Sequence, residues 1–263
     1  MRRRTWIGTG WKMNFLLADA EGYLAELGAF LRGAGDGLPA VFVVPPFTIL
    51  RSVCQRARTL PLLVGAQNMH WEARGAYTGE ISPAMVKDCG AALVELGHSE
   101  RRAMYGETDA AVNRKVLAAL GCGLVPLVCV GDTAEEQRLG VAAESVARQV
   151  KIALHGVPRD RVGDVVVAYE PVWAIGQDGT PASPEWASAL HAVVREAIAA
   201  LHGAEAADRC AVLYGGSVTP ANAGALLAAP DVDGLFVGRA AWAPQGLVAL
   251  VRIAMEARGR RAP

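Results

Sequence analysis

Short apolar runs and longer amphipathic stretches alternate along this chain from one end to the other. The apolar runs read as strands near residues 6–9, 40–44, 62–66, 92–95, 124–130, 165–168, 211–213 and 234–237. Runs such as "DVVVAY" and "GLFVG" show no polar alternation, as expected when both faces of a parallel sheet are covered. Between them, "DAEGYLAELGAFLR", "DAAVNRKVLAAL" and "SPEWASALHAVVREAIAAL" carry apolar residues three and four apart, the spacing of a helix face. Asp109, and Thr133 with Glu136 three residues on, read as helix N-terminal caps. "AEEQRLGVAAESVARQVK" reads as one long helix with a solvated face. Eight strand–helix units predict an α/β fold, a single (β/α)8 TIM barrel, ahead of an open doubly wound sheet.

A chain of 263 residues fits one such barrel domain, with frayed ends at about residues 1–4 and 258–263. Hydrophobic residues make up 52%, enough for a large core and too many for a disordered chain. The 26 basic and 26 acidic residues balance and are scattered, apart from "MRRR" and "RGRR" at the ends, so no nucleic-acid-binding stripe is expected. Five cysteines, Cys54, Cys89, Cys122, Cys129 and Cys210, are odd in number and form no CxxC pair, which argues against a disulfide framework or a zinc site. No apolar run approaches the roughly 18 residues of a membrane span, and the expected compartment is the cytoplasm. One connection is long for a βα loop, "QNMHWEARGAYTGEIS", which begins at Gln67 and ends at Ser82; such loops are usually functional or interfacial.

In a barrel the chemistry sits at the C-terminal ends of the strands. Lys12 follows the first strand there, Gln67 and Asn68 the third, His98 and Glu100 the fourth, "CVGD" the fifth, Glu170 the sixth, "YGGS" the seventh and "FVGRA" the eighth. Each has a bland reading. A strand-end lysine is usually solvated, a lone histidine caps or packs, a glutamate before proline pairs with a cation, Cys129 between valines is a buried small hydrophobe, and Gly-Gly-Ser is a tight turn. The convergence of polar residues at the same end of consecutive strands favours a site.

The motifs "WKMN", "GAQN", "TGEIS", "ELGHSERR", "YEPVWAIG", "YGGSV" and "DGLFVG" together resemble the triosephosphate isomerase family, from about residue 7 to residue 242. That family's enzyme is itself a standard worked case of pKa tuning, so the roles that follow are inherited from it. The resemblance implies that Glu170 is the base that removes a proton beside the substrate carbonyl and that neutral His98 polarises the carbonyl. Lys12, paired with Glu100, neutralises the phosphate and the developing oxyanion. Asn68 and Cys129 support the site, and Gly176, Ser217, Gly238 and Arg239 bind phosphate through backbone N–H groups. Trp173, Ala174, Ile175, Gln177, Asp178, Gly179 and Thr180 form the mobile lid. The resemblance also implies a homodimer through the loop from Gln67, with Thr78 near the partner's site, a small phosphorylated sugar as substrate, and neither cofactor nor metal.

The chain departs from the usual pattern at four places. Gly10 stands where the family has an asparagine whose amide reaches the substrate; one such donor is worth about 2.7–4 kcal/mol in the transition state. The lid reads "QDGTPAS", Arg239 replaces a glycine of the phosphate loop, and Asp132 replaces a glutamate. "GTxWKMN", "QNMHW", "GxPAS" and "VGRxAW" are similar to the family's tetrulose-phosphate branch, which interconverts L-erythrulose 1-phosphate and D-erythrulose 4-phosphate. That substrate is dihydroxyacetone phosphate lengthened by a hydroxymethyl group at the end remote from phosphate, and an absent side chain at position 10 leaves room for it. A triosephosphate isomerase with an ordered water in that space is the alternative. A Schiff-base aldolase built on Lys12 and a non-catalytic phosphosugar sensor are rivals from other classes; the ion pair with Glu100 argues against the first, retention of His98 and Glu170 against the second.

Overall fold

Residues 3–176 and 179–260 are described by a computed structural model. Its frame is a closed barrel of parallel strands joined in sequence order: β1 Trp6–Gly10, β2 Ala40–Val44, β3 Leu62–Ala66, β4 Leu93–Leu96, β5 Val125–Val130, β6 Val166–Tyr169, β7 Ala211–Tyr214 and β8 Gly234–Val237. β1 pairs with β2 from Trp6–Ala40 to Gly10–Val44, and its other edge closes on β8 from Trp6–Gly234 to Thr9–Val237. Every expected strand is present, with ends moved by no more than a residue or two.

Two cores explain why the strands lack alternation. Val41 and Val43 point outward into the layer beneath the helices, while Phe42 and Val44 point inward with Leu93, Leu127, Val166, Leu213 and Phe236. Both faces of each strand are therefore dry. Inside the barrel the small residues of β1 make room for large ones opposite: a Cβ on Gly8 would overlap the Phe42 ring, and that ring packs on Phe236 with centroids 5.5 Å apart.

The outer layer holds α1 Leu17–Gly33, α2 Phe47–Ala57, α3 Pro83–Asp88, α4 Ser99–Tyr105, α5 Asp109–Gly121, α6 Ala134–Arg138, α7 Ala142–Ala153, α8 Pro184–His202, α9 Ala204–Arg209, α10 Pro220–Ala228 and α11 Pro244–Arg260. Proline opens α3, α8 and α10, at a position whose N–H has no helical partner. Two expectations need correction. The cap of α5 is Thr108, whose hydroxyl accepts from the Ala111 N–H; Asp109 is the first helical residue and pairs with Arg102 at 2.5 Å. The stretch read as one long helix is two, α6 and α7, broken where Gly140 takes φ +75°, a left-handed conformation that ends a helix cheaply only at glycine. The Thr133–Glu136 capping box is present, with each residue accepting the other's backbone N–H.

The end of the barrel opposite the strand C-termini is tied by charge. Arg195 on α8 bonds to Asp231 at 2.5 Å and to Asp233, and Arg3 bonds to Asp233 at 2.7 Å. No helix among the described residues is long and apolar enough to cross a membrane.

Candidate active site

A cleft of about 440 Å³ opens at the C-terminal ends of the strands and is lined by residues that follow β1, β4, β6, β7 and β8. Lys12 enters from the first of these. Its backbone is left-handed, φ +50°, a conformation uncommon for a residue with a side chain. The Gln67 amide holds it there by donating to the Lys12 carbonyl at 2.8 Å and to the Val44 carbonyl at 3.1 Å. The Lys12 Nζ donates to Glu100 Oε1 at 2.7 Å. Partial burial works against the Glu100 carboxylate, but the Lys12 hydrogen bond and charge, with His98 beside it, hold it below the ordinary carboxylate range.

His98 is the N-cap of α4. The Glu100 backbone N–H donates to its Nδ1 at 3.2 Å, so a neutral ring carries its proton on Nε2. That nitrogen lies 3.7 Å from Glu170 Oε2. Glu170 follows β6, is 3% exposed, and has one carboxylate oxygen with no hydrogen-bond partner among the described residues. Gly215 makes room for it, because a Cβ there would sit 2.7 Å from the Glu170 Cγ. A desolvated carboxylate facing an imidazole N–H is an arrangement that can take a proton from carbon and polarise the adjacent oxygen.

A second carboxylate shares this space. Glu95, the third residue of β4, is 5% exposed and lines the cleft, with Oε1 4.0 Å from His98 Nε2. Burial first, then the charge of Glu170, pushes its pKa up to about 7 against the opposing effect of His98 and Lys12. Glu95, His98 and Glu170 bring oxygen and nitrogen atoms within 4.8 Å of one another, a spacing that would also admit a small cation. A cation there would tie up the acid and base together, so the cluster is read as an acid–base site.

The chain matches the triosephosphate isomerase family over residues 5–254. The chain belongs to the triosephosphate isomerase family. It is 46% identical to the L-erythrulose-1-phosphate isomerase of Mesorhizobium japonicum over 249 residues, covering 94% of this chain and 96% of that one. To the L-erythrulose-1-phosphate isomerase of Brucella abortus it is 47% identical, over 92% of this chain and 93% of the relative. The crystal structure of triosephosphate isomerase from Bartonella henselae superposes with a TM-score of 0.84 at 33% identity, covering 95% of this chain and 98% of that one. The protein is thus an isomerase of this family with its barrel fold.

Within the family fold, Gly10, Lys12, His98, Glu170, Ala174, Ile175, Gly176, Gly179, Ser217, Gly238 and Arg239 all line the one cleft. The Ser217 hydroxyl donates to the Ala174 carbonyl at 2.7 Å, so its side chain holds the lid segment. Other expected site residues lie elsewhere. Asn68 is turned away from the cleft, its side-chain oxygen accepting from the buried Lys115 Nζ at 2.9 Å. Cys129 stays close: it belongs to the inner cluster of the barrel, with its thiol 4.0 Å from Glu95 Oε1, and burial first, then Glu170 and Glu95, raises its pKa well above the ordinary thiol value, so it stays protonated. Thr78 is exposed on its loop, and Thr180 is exposed outside the cleft. Trp173 donates to Asp132 at 2.9 Å, and Gln177 and Asp178 lie outside the described residues. Asp132 is fully buried, also accepts from the Tyr169 hydroxyl at 2.7 Å, and so fastens the start of the lid to the barrel.

Sequence reasoning passed over Glu95. Its signal is a carboxylate inside the run "ALVEL", a strand otherwise dry on both faces.

Proposed function

We propose that this isomerase interconverts L-erythrulose 1-phosphate and D-erythrulose 4-phosphate by moving a proton between adjacent carbons through an enediolate, without a cofactor. The observation that carries the reading is the pairing of Glu170 and His98 Nε2 at 3.7 Å beside the hollow at Gly10. Its relatives named L-erythrulose-1-phosphate isomerase support the choice of substrate.

Glu170 takes the proton from C3 of L-erythrulose 1-phosphate, and the electron pair moves through C2 onto the carbonyl oxygen. His98 gives its Nε2 proton to that oxygen and takes one from the C3 hydroxyl. Glu170 then returns its proton to C2, and the carbonyl reforms at C3. Lys12 offsets the negative charge that develops on oxygen, and the backbone N–H groups of Gly176, Ser217, Gly238 and Arg239 hold the phosphate. The lid, Trp173 to Ile175 with Gln177, Asp178, Gly179 and Thr180, closes to keep water from the enediolate. Glu100 fixes Lys12, while Asn68 and Cys129 support the walls.

The protein acts as a homodimer. Residues 72–80 of the loop from Gln67 to Ser82 are exposed in the single chain, and apolar Met13 and Leu16 before α1, Tyr77 in the loop, Met85 on α3 and Met104 and Tyr105 on α4 stand in solvent. A second copy covers such a surface, bringing Thr78 near the partner's cleft. Five free cysteines suit a reducing cytoplasm.

The test is kcat/KM on L-erythrulose 1-phosphate and on D-glyceraldehyde 3-phosphate side by side, with Glu170→Gln as the blank. The reading expects a strong preference for the tetrulose phosphate, abolished in the blank. Efficient turnover of the triose phosphate alone would make the protein a triosephosphate isomerase, as its structural neighbour at 33% identity is named.

A further inference from the structure

A carboxylate in the floor of a substrate cleft, without a strong donor of its own, calls for an account. Among the described residues, the one hydrogen-bond contact of Glu95 is the Cys129 thiol at 4.0 Å, and no backbone or side-chain N–H reaches it within hydrogen-bond distance. Buried polar groups are nearly always paired, and an unpaired carboxylate is among the most costly to bury. Such a group in a cleft wall points to a donor that arrives with the ligand.

The geometry says which part of the ligand. A Cβ built on Gly10 would lie 3.7 Å from Glu95 Oε2 and 3.2 Å from Phe236 Cζ. Gly10, Phe236 and Glu95 all line the cleft, so its corner at Gly10 is bounded by an aromatic ring on one side and a carboxylate on the other. A hydroxymethyl group matches that pair, with its carbon against the ring and its hydroxyl toward the acceptor. The hydroxymethyl is also what separates the four-carbon substrate from the three-carbon one, and it is attached to the carbon that Glu170 deprotonates.

We propose that Glu95 determines substrate length by accepting the hydrogen bond of the terminal hydroxyl of the four-carbon ketose phosphate in the hollow beside Gly10. The assignment rests on the tetrulose-phosphate reading above. A site built to bond a substrate hydroxyl discriminates strongly against an analogue that lacks it, because the buried partner is then left unpaired, whereas a merely roomy pocket discriminates weakly. Gly10 supplies room and Glu95 supplies preference. A different role, in which Glu95 only orients His98 across 4.0 Å, would affect both substrates alike.

The experiment measures kcat/KM of wild type, Glu95→Leu and Glu95→Gln on L-erythrulose 1-phosphate and D-glyceraldehyde 3-phosphate. The ratio of the two values should fall by roughly 10- to 100-fold in Glu95→Leu, the usual worth of one hydrogen bond to a charged group, and by less in Glu95→Gln, which keeps an oxygen acceptor and serves if the leucine variant does not fold. A ratio unchanged in both variants, including a parallel loss on both substrates, overturns the role of Glu95 while wild-type preference for the tetrulose phosphate stands. A wild type without that preference overturns the substrate reading and this inference with it.

Discussion

Replacing Glu95 by glutamine should make the protein more stable, and increasingly so as the pH rises. The carboxyl is held at about 7 in the folded state against 4.5 for the ordinary group, chiefly because burial disfavours its charge. His98, Glu170, Lys12 and Glu100 also act on it, as does the Cys129 thiol at 4.0 Å. Between those two pH values the unfolded chain has released the proton and the folded chain has kept it, so stability falls as pH rises through the window and levels off above it. Each tenfold difference in proton affinity between the folded and unfolded chain corresponds to about 1.4 kcal/mol, so the penalty present at pH 8 is about 3 kcal/mol. Glutamine has nothing to ionise. Its advantage should grow from near zero below pH 4.5 to that amount at pH 8, or roughly 6 °C in Tm for a chain of this length. His191 acts in the opposite sense: burial holds its pKa at about 4 rather than 6.5, so its contribution strengthens as pH rises between those values. The difference between variant and wild type therefore isolates Glu95 where the wild-type curve alone would not. Urea denaturation at pH 5, 6, 7 and 8, at one protein concentration and without phosphate ligands, measures it. Parallel curves for the two proteins would refute the argument and leave Glu95 without a folding penalty to explain.

Gly10→Ala should lower kcat/KM on the tetrulose phosphate by roughly 10- to 200-fold, the usual worth of one methylene in a pocket, with a much smaller loss on the triose phosphate. The added methyl would press on Phe236 at 3.2 Å, and equal losses on both substrates would show that the glycine serves the packing of that ring. Lys115→Met should destabilise the protein by about 3–5 kcal/mol. Lys115 is 5% exposed, pairs with Glu107 and donates to Asn68 at 2.9 Å, so its removal strands a buried carboxylate beneath the strand-four loop. Urea unfolding reads this directly, and a loss below about 1 kcal/mol would mean that Arg101, 3.4 Å from Glu107, and the Gly97 N–H at 3.2 Å compensate.

The barrel was legible because each strand is covered on both faces and so appears as an unbroken apolar run between helical patterns. The helix break at Gly140 was not, since apolar spacing carries on through it while the backbone turns left-handed. Lys12, His98 and Glu170 could be placed by their position just past strand ends, where a polar side chain has only the barrel mouth to face. Asn68 sits at a similar position in sequence but turns away, because its partner, Lys115, comes from another element that no local motif reveals. Glu95 was hidden for the converse reason: it lies within a strand, one residue before the boundary at which polar residues attract notice.

Residue 100 acts through two separable parts. Its side chain grips Lys12, while its backbone N–H, and not its carboxylate, fixes the proton of His98 on the nitrogen facing the cleft. An ordinary substitution there releases the lysine but leaves the imidazole in its working tautomer, because every residue except proline brings the same N–H. The electrophile of this site is in that sense insulated from point mutation at its neighbour, and the lysine is not.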